Sequence, residues 1–293
     1  MQSYQRLIIQ FHSLLVFIQL MPDDFKLVKT RKRGGRNTNK KKAFVDECSQ
    51  NNLCSISKET IIRRTLLAKE ETVASDFCSS VLVKLSEGLN ELTNLDIKEI
   101  ICYGLGSFAD SVTSRYQFAL LLALKEHFST SVLIYDPIFN DTEIDVLKEL
   151  GCQVITINEE GKHKIQSHHF TLLYLPHCPK QLINNFLWTN WGPELQNCII
   201  FSNSFSRIIE SQPKRFLTES AGYILNIFPY TEELEIDNCF RYNDIFNDTA
   251  IHIFPQKKLN SVPQNFWDLC EEPKYCEDDT EFIGQKLIST LKV

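Results

Sequence analysis

Short apolar runs alternate with longer amphipathic stretches through the middle of the chain. Five of these runs are rich in apolar residues instead of alternating with polar ones, which is typical of strands in a sheet that is covered on both faces. They lie at 97–103, 131–135, 152–157, 170–175 and 198–202. Strands that alternate with helices indicate parallel βαβ units with right-handed crossovers. The pattern therefore predicts an α/β fold, a Rossmann-like three-layer sandwich with a mostly parallel sheet and helices on both faces.

Helical periodicity predicts where the helices lie. Apolar residues recur at three-to-four spacing over 57–92, and Ser57 is a suitable N-cap, so one long helix is expected there. Further helices are expected over 114–127, over 142–150 with Thr142 as the cap, and from 180 to about 188. Two more runs, 224–227 and 252–254, are candidates for additional strands.

Segments of different composition flank the α/β domain, which we place at 57–256. Residues 1–25 form an N-terminal extension, and its apolar stretch 7–20 is too short to span a bilayer. This extension is either a peripheral helix or sequence upstream of a more natural start at Met21. Residues 26–56 form a flexible basic arm, with nine Lys or Arg and no acidic residue between 26 and 42. Residues 257–293 form an acidic C-terminal tail.

Composition limits the classes of partner. A chain of 293 residues with a net charge of -6 is ordinary for a globular protein and argues against nucleic-acid binding over the whole surface. The basic arm is the exception, and it is either a nuclear-import or nucleic-acid contact patch or simply a solvated tail. Ten cysteines without a C-x-x-C pair indicate reduced, buried thiols and no zinc site. We therefore expect a cytoplasmic and nuclear location, no membrane association and no metal.

A glycine turn follows the first predicted strand. Gly104, Gly106 and Ala109 satisfy the relaxed G-x-G-x-x-A fingerprint, in which the backbone approaches a phosphate or ribose at a helix N-terminus. A tight turn without a ligand gives the same pattern. Asp136 closes the second strand 30 residues after Gly106, where an acid can accept hydrogen bonds from ribose hydroxyls. That spacing exceeds the usual ~20 residues and favours an adenosylmethionine-like geometry, with a plain Asp-Pro turn as the alternative.

Polar residues close all five predicted strands. The carboxyl ends of parallel strands meet at one edge of a sheet, and ligands bind there near the switch in strand order. We therefore predict a cofactor-binding pocket at this edge, for S-adenosylmethionine, a nucleotide or haem, and we assign no catalytic residue. Ordinary loop polarity is the alternative. The predicted binding residues are Gly104, Gly106, Ser107, Asp136, Glu159, His177 and Asn203.

Reactive side chains after the third and fourth strands add further hypotheses. His177 and Cys178 could form an activated thiolate pair, but adjacent side chains on an extended segment point in opposite directions. The thiolate of Cys178, followed by Pro179, is also a candidate for reversible haem ligation. Glu159 and its neighbour Glu160 are candidates for a general base, with a solvated loop as the alternative. None of these features names a reaction, so the sequence leaves open whether the protein is an enzyme.

Six segments, taken in order, carry the motifs of a known domain. They are Tyr-Gly-Leu-Gly-Ser-Phe at 103–108 with Ser-Arg-Tyr-Gln at 114–117, Tyr-Asp-Pro at 135–137, Asn-Glu-Glu-Gly at 158–161, Pro-His-Cys-Pro at 176–179 with Asn185 and Asn190, Asn-Ser-Phe at 203–205, and Phe-Asn-Asp-Thr-Ala-Ile-His-Ile-Phe at 246–254. Residues 96–254 thus resemble the SRR-like family, named for sensitivity to red light reduced. Ala250 and Ile253 are small departures from its pattern.

The resemblance implies a role more than a reaction. It implies a regulatory protein, with input to the circadian clock in plants and effects on clock-gene expression and haem biosynthesis in animals. The family has no established catalytic residues, so none are carried over, and the protein partners are unknown. Our leading hypothesis is such a regulator with a small ligand at the strand ends. The alternatives are an S-adenosylmethionine-dependent methyltransferase-like enzyme and a non-catalytic interaction scaffold that uses the basic arm.

Overall fold

The computed structural model describes residues 56–92, 96–166 and 169–275. The predicted N-terminal extension, the basic arm up to residue 55 and the end of the acidic tail lie outside these residues. Within the described part of the chain, no helix is both long and apolar enough to cross a membrane.

Two helices precede the sheet, where the sequence predicts one. They are α1 (Lys58–Val73) and α2 (Asp76–Leu92). Ser57 caps α1 as predicted, and its hydroxyl accepts from the amide of Thr60 at 3.3 Å. The break lies at Ser75, whose hydroxyl donates to the carbonyl of Thr72 at 2.5 Å. Such local bonds from serine compete with the helical ladder, and periodicity alone does not reveal them.

A seven-stranded sheet forms the middle layer. Its strands are β1 (Ile97–Tyr103), β2 (Ser131–Tyr135), β3 (Gln153–Val154), β4 (Phe170–Leu175), β5 (Cys198–Asn203), β6 (Glu232–Glu235) and β7 (Thr249–Ile253). Their order is β3-β2-β1-β4-β5-β7-β6. β7 runs antiparallel to both of its neighbours, and the other pairs are parallel. The predicted mostly parallel sheet is therefore confirmed.

The remaining helices connect these strands. They are α3 (Val112–Phe128), α4 (Asp141–Glu149), α5 (Lys180–Thr189), α6 (Phe205–Ser211), α7 (Lys214–Ser220), α8 (Gly222–Ile227) and α9 (Gln256–Leu259). Short 3₁₀ turns lie at Pro193–Asn197, Phe228–Tyr230 and Phe266–Asp268. The N-cap of α4 is Asn140 and not Thr142 as predicted, because Asn140 forms a capping box with Glu143.

Most of the strand predictions agree with the sheet. The predicted strands at 97–103, 131–135 and 170–175 agree with β1, β2 and β4. The third is much shorter than predicted, since β3 holds two residues. The run at 224–227 is wrong as a strand, because Ile224 and Ile227 are buried on the inner side of α8. β6 was not predicted, because its sequence Glu-Glu-Leu-Glu lacks a strand's apolar pattern.

Helices on both faces of the sheet complete the three predicted layers. The helices α1 to α4 pack in one apolar cluster with Ile100 and Cys102 of β1. The helices α5 to α9 pack in a second cluster with Ile101 and Tyr103. Alternate residues of one strand enter opposite clusters because strand side chains alternate between faces.

The chain after β7 packs back onto the second face, although composition assigns it to the acidic tail. Trp188 of α5 donates its indole N–H to the carbonyl of Cys270 at 3.1 Å. The hydroxyl of Tyr223 donates to the carbonyl of Glu271 at 2.7 Å. Residues 257–275 therefore help to cover α5 and α8.

Candidate functional site

The turn after β1 requires glycine at two positions. Gly104 and Gly106 have φ angles of 65° and 80°, in the left-handed region that a β-carbon disfavours. A β-carbon on Gly104 would lie 2.8 Å from Sγ of Cys178, and one on Gly106 would lie 2.6 Å from Oγ of Ser114. The packing of the turn itself therefore explains both glycines, whether or not a ligand binds there.

Two carboxylates of the chain accept the hydrogen bonds of this turn. The amide of Gly106 donates to Oδ2 of Asp136 at 2.7 Å. Oε1 of Glu143 accepts from the hydroxyl of Ser107 at 2.9 Å and from the amide of Ala109 at 3.0 Å. A dinucleotide fold presents such amides to a phosphate. In this chain they already have anionic partners.

Asp136 links two turns. Its Oδ1 accepts from the amide of Ile138 at 3.0 Å, which is the local bond of an Asp-Pro turn. Its Oδ2 accepts from Gly106, as described above. Burial raises the pKa of Asp136, although both amides favour its charged form. The turn interpretation accounts for the residue, and a contact with ribose stays a prediction.

Cys178 lies beneath the glycine turn. Its side chain is 2% exposed and its thiol donates to the carbonyl of Tyr103 at 3.1 Å. Burial raises the pKa of this thiol, and the charge of Asp136 raises it further. A nucleophile or a haem ligand must be an accessible thiolate. Cys178 therefore does not fit either the thiolate–imidazole pair or the haem ligand that its position beside His177 suggests.

A polar cavity of about 360 Å³ opens at the ends of β4 and β5, beside the chain that enters β7. Two predicted binding residues, His177 and Asn203, line it together. The other five predicted residues are not part of its lining, so the carboxyl edge of the sheet is divided between the glycine turn and this cavity. The cavity is lined by His177, Asn203, Ser204, Arg207, Ile208, Asp244, Asn247 and Asp248.

His177 is held by hydrogen bonds on three sides. Its backbone amide donates to Oδ1 of Asn203 at 2.9 Å, and the Asn203 amide group donates to the carbonyl of Cys178 at 3.0 Å. Its Nε2 lies 2.9 Å from the carbonyl of Asn247, so this nitrogen carries a proton. The side-chain amide of Gln117 lies 3.4 Å from Nδ1. Asn203 thus shapes the turn that presents the imidazole to the cavity.

The opposite wall of the cavity is built around Asp248. Its carbonyl accepts from the amide of Ser204 at 2.8 Å, and its carboxylate lies 3.1 Å from Nε of Arg207. Asp248 has a φ of 55° and His177 has a φ of 56°. Among the described residues, four non-glycine residues have positive φ, and these two line the same cavity. Such backbone strain is concentrated at functional sites.

A buried contact between Glu233 and His252 supports the wall from below. Oε2 of Glu233 lies 2.9 Å from Nε2 of His252 and accepts from the amide of Phe205 at 2.6 Å. His252 is fully buried, and its ring stacks on Phe205 at 3.7 Å. Burial raises the pKa of Glu233, but hydrogen bonds from His252 and Ser206 outweigh it and lower the pKa to about 2. Glu233 therefore fixes the start of α6, which carries Arg207.

Glu159 lies in a separate cluster. The hydroxyl of Tyr103 donates to its carboxylate, and Nδ1 of His163 lies 3.0 Å from the same oxygen. Nε2 of His163 lies 3.8 Å from Oε2 of Glu99, a buried oxygen without a hydrogen-bond partner. Burial and the neighbouring Glu159 raise the pKa of Tyr103. The structure thus brings Glu159 to β1 and not to the cavity.

Two asparagines of the motif segments brace the loop that carries this cluster. Asn185 donates to the carbonyl of Glu160 at 2.8 Å. Asn190 donates to the carbonyl of His163 at 2.8 Å and accepts from the amide of Ile165 at 3.0 Å. Both residues therefore act on backbone groups and hold the connection between β3 and β4.

Sequence reasoning missed Arg207, Asp248, Glu233 and His252. Glu233, His252 and Asp248 join the site through the pairing of β7 with β5 and β6. Arg207 joins it on α6, which follows β5 directly. The motif segments were the signal that could have found three of them. Asn-Ser-Phe at 203–205 lies just before Arg207, and the segment 246–254 contains Asp248 and His252.

Comparisons with known proteins agree with the motif segments. A family model described as the SRR1 domain matches residues 69–253. An SRR1-like protein from Mus musculus is 33% identical over 202 residues, which cover 58% of this chain and 81% of the relative. The Arabidopsis thaliana protein SENSITIVITY TO RED LIGHT REDUCED 1 is 31% identical over 111 residues, which cover 36% of this chain and 40% of the relative.

Among solved structures, the plantazolicin methyltransferase BpumL, in complex with SAH and a triazolic desmethylPZN analog, covers 72% of this chain and 94% of its own. It is 13% identical with a TM-score of 0.31, and a likeness this remote says nothing about what the present chain binds. The family model matches more than half of the chain, and the mouse relative is covered over more than two thirds of its length. The chain therefore belongs to the SRR1 domain family.

Proposed function

We propose that this chain is a regulatory SRR1 protein that binds a small polar ligand in the cavity at His177. The observation that carries the proposal is the pair of left-handed residues, His177 and Asp248, which line the same cavity. Each such conformation costs on the order of 1–3 kcal/mol and persists where the surroundings hold it in place. The cavity also lies outside the carboxyl ends of β4 and β5, where ligands of open α/β sheets bind.

The size of the cavity supports a small metabolite. Ligand pockets typically measure roughly 300–1,000 Å³, and this cavity, at about 360 Å³, is near the lower limit. Its lining is polar, with Ile208 as the apolar exception. These properties favour a small hydrophilic molecule over haem or a complete dinucleotide.

The regulatory part of the proposal rests on family membership. The Arabidopsis relative is named for reduced sensitivity to red light. We accordingly propose that this chain acts in circadian clock input and clock-gene expression and in the regulation of haem biosynthesis, in the cytoplasm and nucleus. In this scheme, occupancy of the cavity couples the level of a metabolite to that output.

Calorimetric titration of the purified chain tests the ligand site. The compounds are S-adenosylmethionine, NAD, ATP, haem and the common amino acids. We expect saturable binding of at least one compound, lost in His177→Ala and retained in His127→Ala, which removes an exposed imidazole at the end of α3. Absence of binding across the panel, or equal binding by the two variants, would contradict the site.

A deletion experiment tests the regulatory role. We expect that loss of the gene changes clock-gene transcripts and haem content, and that the wild-type chain restores both. The His177→Ala chain should restore neither if the cavity controls the output. Unchanged transcripts and haem content in the deletion would contradict the role, independently of whether the cavity binds a ligand.

A methyltransferase-like enzyme is the second candidate, and one observation favours it. The strand order β3-β2-β1-β4-β5-β7-β6 with an antiparallel β7 is the order that Rossmann-type methyltransferases also use. His177 carries the one imidazole of the lining, and its Nδ1, which lies 3.4 Å from the side-chain amide of Gln117, is the candidate general base. Transfer of a labelled methyl group from S-adenosylmethionine to a cell extract, abolished by His177→Ala, would support this function. Transfer that survives the substitution would count against it.

A further inference from the structure

Among the charged side chains that line the cavity at His177, carboxylates predominate. Among its lining residues, Arg207 is the one permanent cation, whereas Asp244 and Asp248 are both carboxylates. The imidazole of His177 gives one N–H to a backbone carbonyl at 2.9 Å and faces the donor amide of Gln117 with the other nitrogen. The aspartates of the lining thus outnumber its arginine by two to one.

The neighbouring glycine turn adds to this imbalance. The carboxylates of Asp136 and Glu143 accept from Gly106, Ser107 and Ala109. A phosphate group that approached the turn would meet these carboxylates in place of free amides, and like charges at this range repel. Neither part of the carboxyl edge thus resembles the phosphate cradle of a nucleotide-binding fold.

Arg207 has capacity for a further anion. Its Nε lies 3.1 Å from Oδ1 of Asp248, and most of its side chain is exposed beside the cavity. Its two Nη groups have no hydrogen-bond partner among the described residues, and a guanidinium edge of this kind matches a carboxylate with two parallel bonds. The carboxylate of Asp244 lines the same cavity, is exposed, and likewise has no partner in the described part of the chain.

We propose that the ligand of this cavity is a zwitterion that carries an α-ammonium group and a carboxylate, as free amino acids and S-adenosylmethionine do. This inference rests on the proposed function of the cavity. The ligand carboxylate pairs with Arg207, and its ammonium group pairs with Asp244. A ligand without net negative charge enters this acidic edge without repulsion, whereas the phosphates of a nucleotide do not.

Titration of the full chain with matched compounds tests the proposal. The zwitterions are S-adenosylmethionine, methionine and the other amino acids. The comparison compounds are methylthioadenosine, which lacks the amino-acid group, and ATP and NAD, which carry phosphates. We expect at least one zwitterion to bind saturably, and the three comparison compounds to bind at least about tenfold more weakly.

Two pairs of variants assign the contacts. Arg207→Ala and Asp244→Asn should each weaken zwitterion binding by about tenfold or more, since each removes a charge-assisted bond. Arg215→Ala and Glu219→Gln, both exposed on α7, should leave it unchanged. Thermal unfolding of all four variants shows whether a loss of binding comes from a loss of folding.

The outcomes distinguish a failure of the zwitterion proposal from a failure of the ligand site itself. Binding of ATP or NAD that His177→Ala abolishes, without binding of any zwitterion, would overturn the zwitterion and leave the ligand site standing. Zwitterion binding that withstands both Arg207→Ala and Asp244→Asn would overturn the assigned contacts, and binding that also withstands His177→Ala would overturn the cavity as the site. Binding of none of the compounds would overturn the ligand site and the zwitterion together.

Discussion

The backbone nitrogen of Gly106 lies 2.7 Å from Oδ2 of Asp136, so the acid that closes β2 holds the turn that follows β1. The amide of Gly104 donates to the carbonyl of Tyr135 at 3.2 Å beside it. The sequence predicts that Gly106 and Asp136 bind a ligand together. In the structure they bind each other. They are near one another because the carboxyl ends of the parallel strands β1 and β2 meet at the same edge of the sheet.

Removing the Asp136 carboxylate should destabilise the fold. Asp136→Ala leaves the amides of Gly106 and Ile138 without their acceptors, which is expected to lower the free energy of unfolding by about 1–3 kcal/mol. Asp136→Asn keeps one acceptor oxygen and should cost less. Urea unfolding followed by circular dichroism measures both.

Asp145→Ala is the control for this experiment, because Asp145 is exposed on α4. Its change should stay within about 0.5 kcal/mol. If Asp136→Ala lowered the free energy of unfolding no more than Asp145→Ala does, the Asp136 carboxylate would not stabilise the fold. A ligand contact would then be the better explanation of its position.

The buried pair of Glu233 and His252 should make stability depend on pH in the acid range. The pKa of Glu233 is lowered to about 2 from its ordinary value of 4.5, and its side chain is 10% exposed. The unfolded chain therefore takes up the proton first as the pH falls. The stabilisation is full above about pH 4.5, is lost progressively towards pH 2, and amounts to about 3 kcal/mol in total.

Urea unfolding between about pH 6 and about pH 3 tests this. Over that range the wild-type chain should lose about 2 kcal/mol more than Glu233→Gln does, since the variant lacks the titrating group. Glu235→Gln, which changes an exposed residue on the same strand, should retain the wild-type dependence. Parallel pH profiles for wild type and Glu233→Gln would show that Glu233 titrates normally in the folded chain.

The strands β1, β2, β4 and β5 and the layer architecture follow from sequence because each of those strands is a local apolar run. β6 does not, because it is polar and takes its place in the sheet by pairing with β7. The same non-local pairing delivers Glu233 and His252 to the site. No pattern of local periodicity contains that information, so the support beneath the cavity could not be predicted.

The structure brings together only part of the predicted set of binding residues. His177 and Asn203 were expected at one edge and lie in one cavity. Glu159 was expected with them, but the loop after β3 turns it towards Tyr103 and His163. The direction of that loop is set by Asn185 on α5 and by Asn190 at the C-cap of α5, which sequence spacing does not connect to it.

The cysteines should differ in reactivity according to their burial. Cys239 and Cys270 are exposed, whereas Cys178 and Cys198 are buried and burial raises the pKa of both thiols. Iodoacetamide should therefore label the first two quickly and the other two slowly in the native chain. Peptide mass spectrometry over time measures each site, and the urea-unfolded chain, in which all should react, is the control. Rapid labelling of Cys178 would reopen the question of haem ligation.

Strain at His177 should be separable from the function of its imidazole. His177→Ala and His177→Gly both remove the hydrogen bond to the carbonyl of Asn247 and the group that faces the cavity. Both should therefore abolish ligand binding. Glycine adopts a φ of 56° without the clash of a β-carbon, so the Gly variant should be more stable than the Ala variant by about 1 kcal/mol.

Ser129 provides the matched control, because it has a φ of 50° at the C-cap of α3 and does not line the cavity. Ser129→Gly and Ser129→Ala should show a similar difference in the free energy of unfolding, while both retain ligand binding. Equal stability of the two His177 variants would mean that the left-handed backbone is not strained there. If the His177 variants differ in stability but the wild-type chain binds no ligand, the left-handed conformation has a purely structural cause. The case for a ligand would then depend on the charges of Arg207 and Asp244.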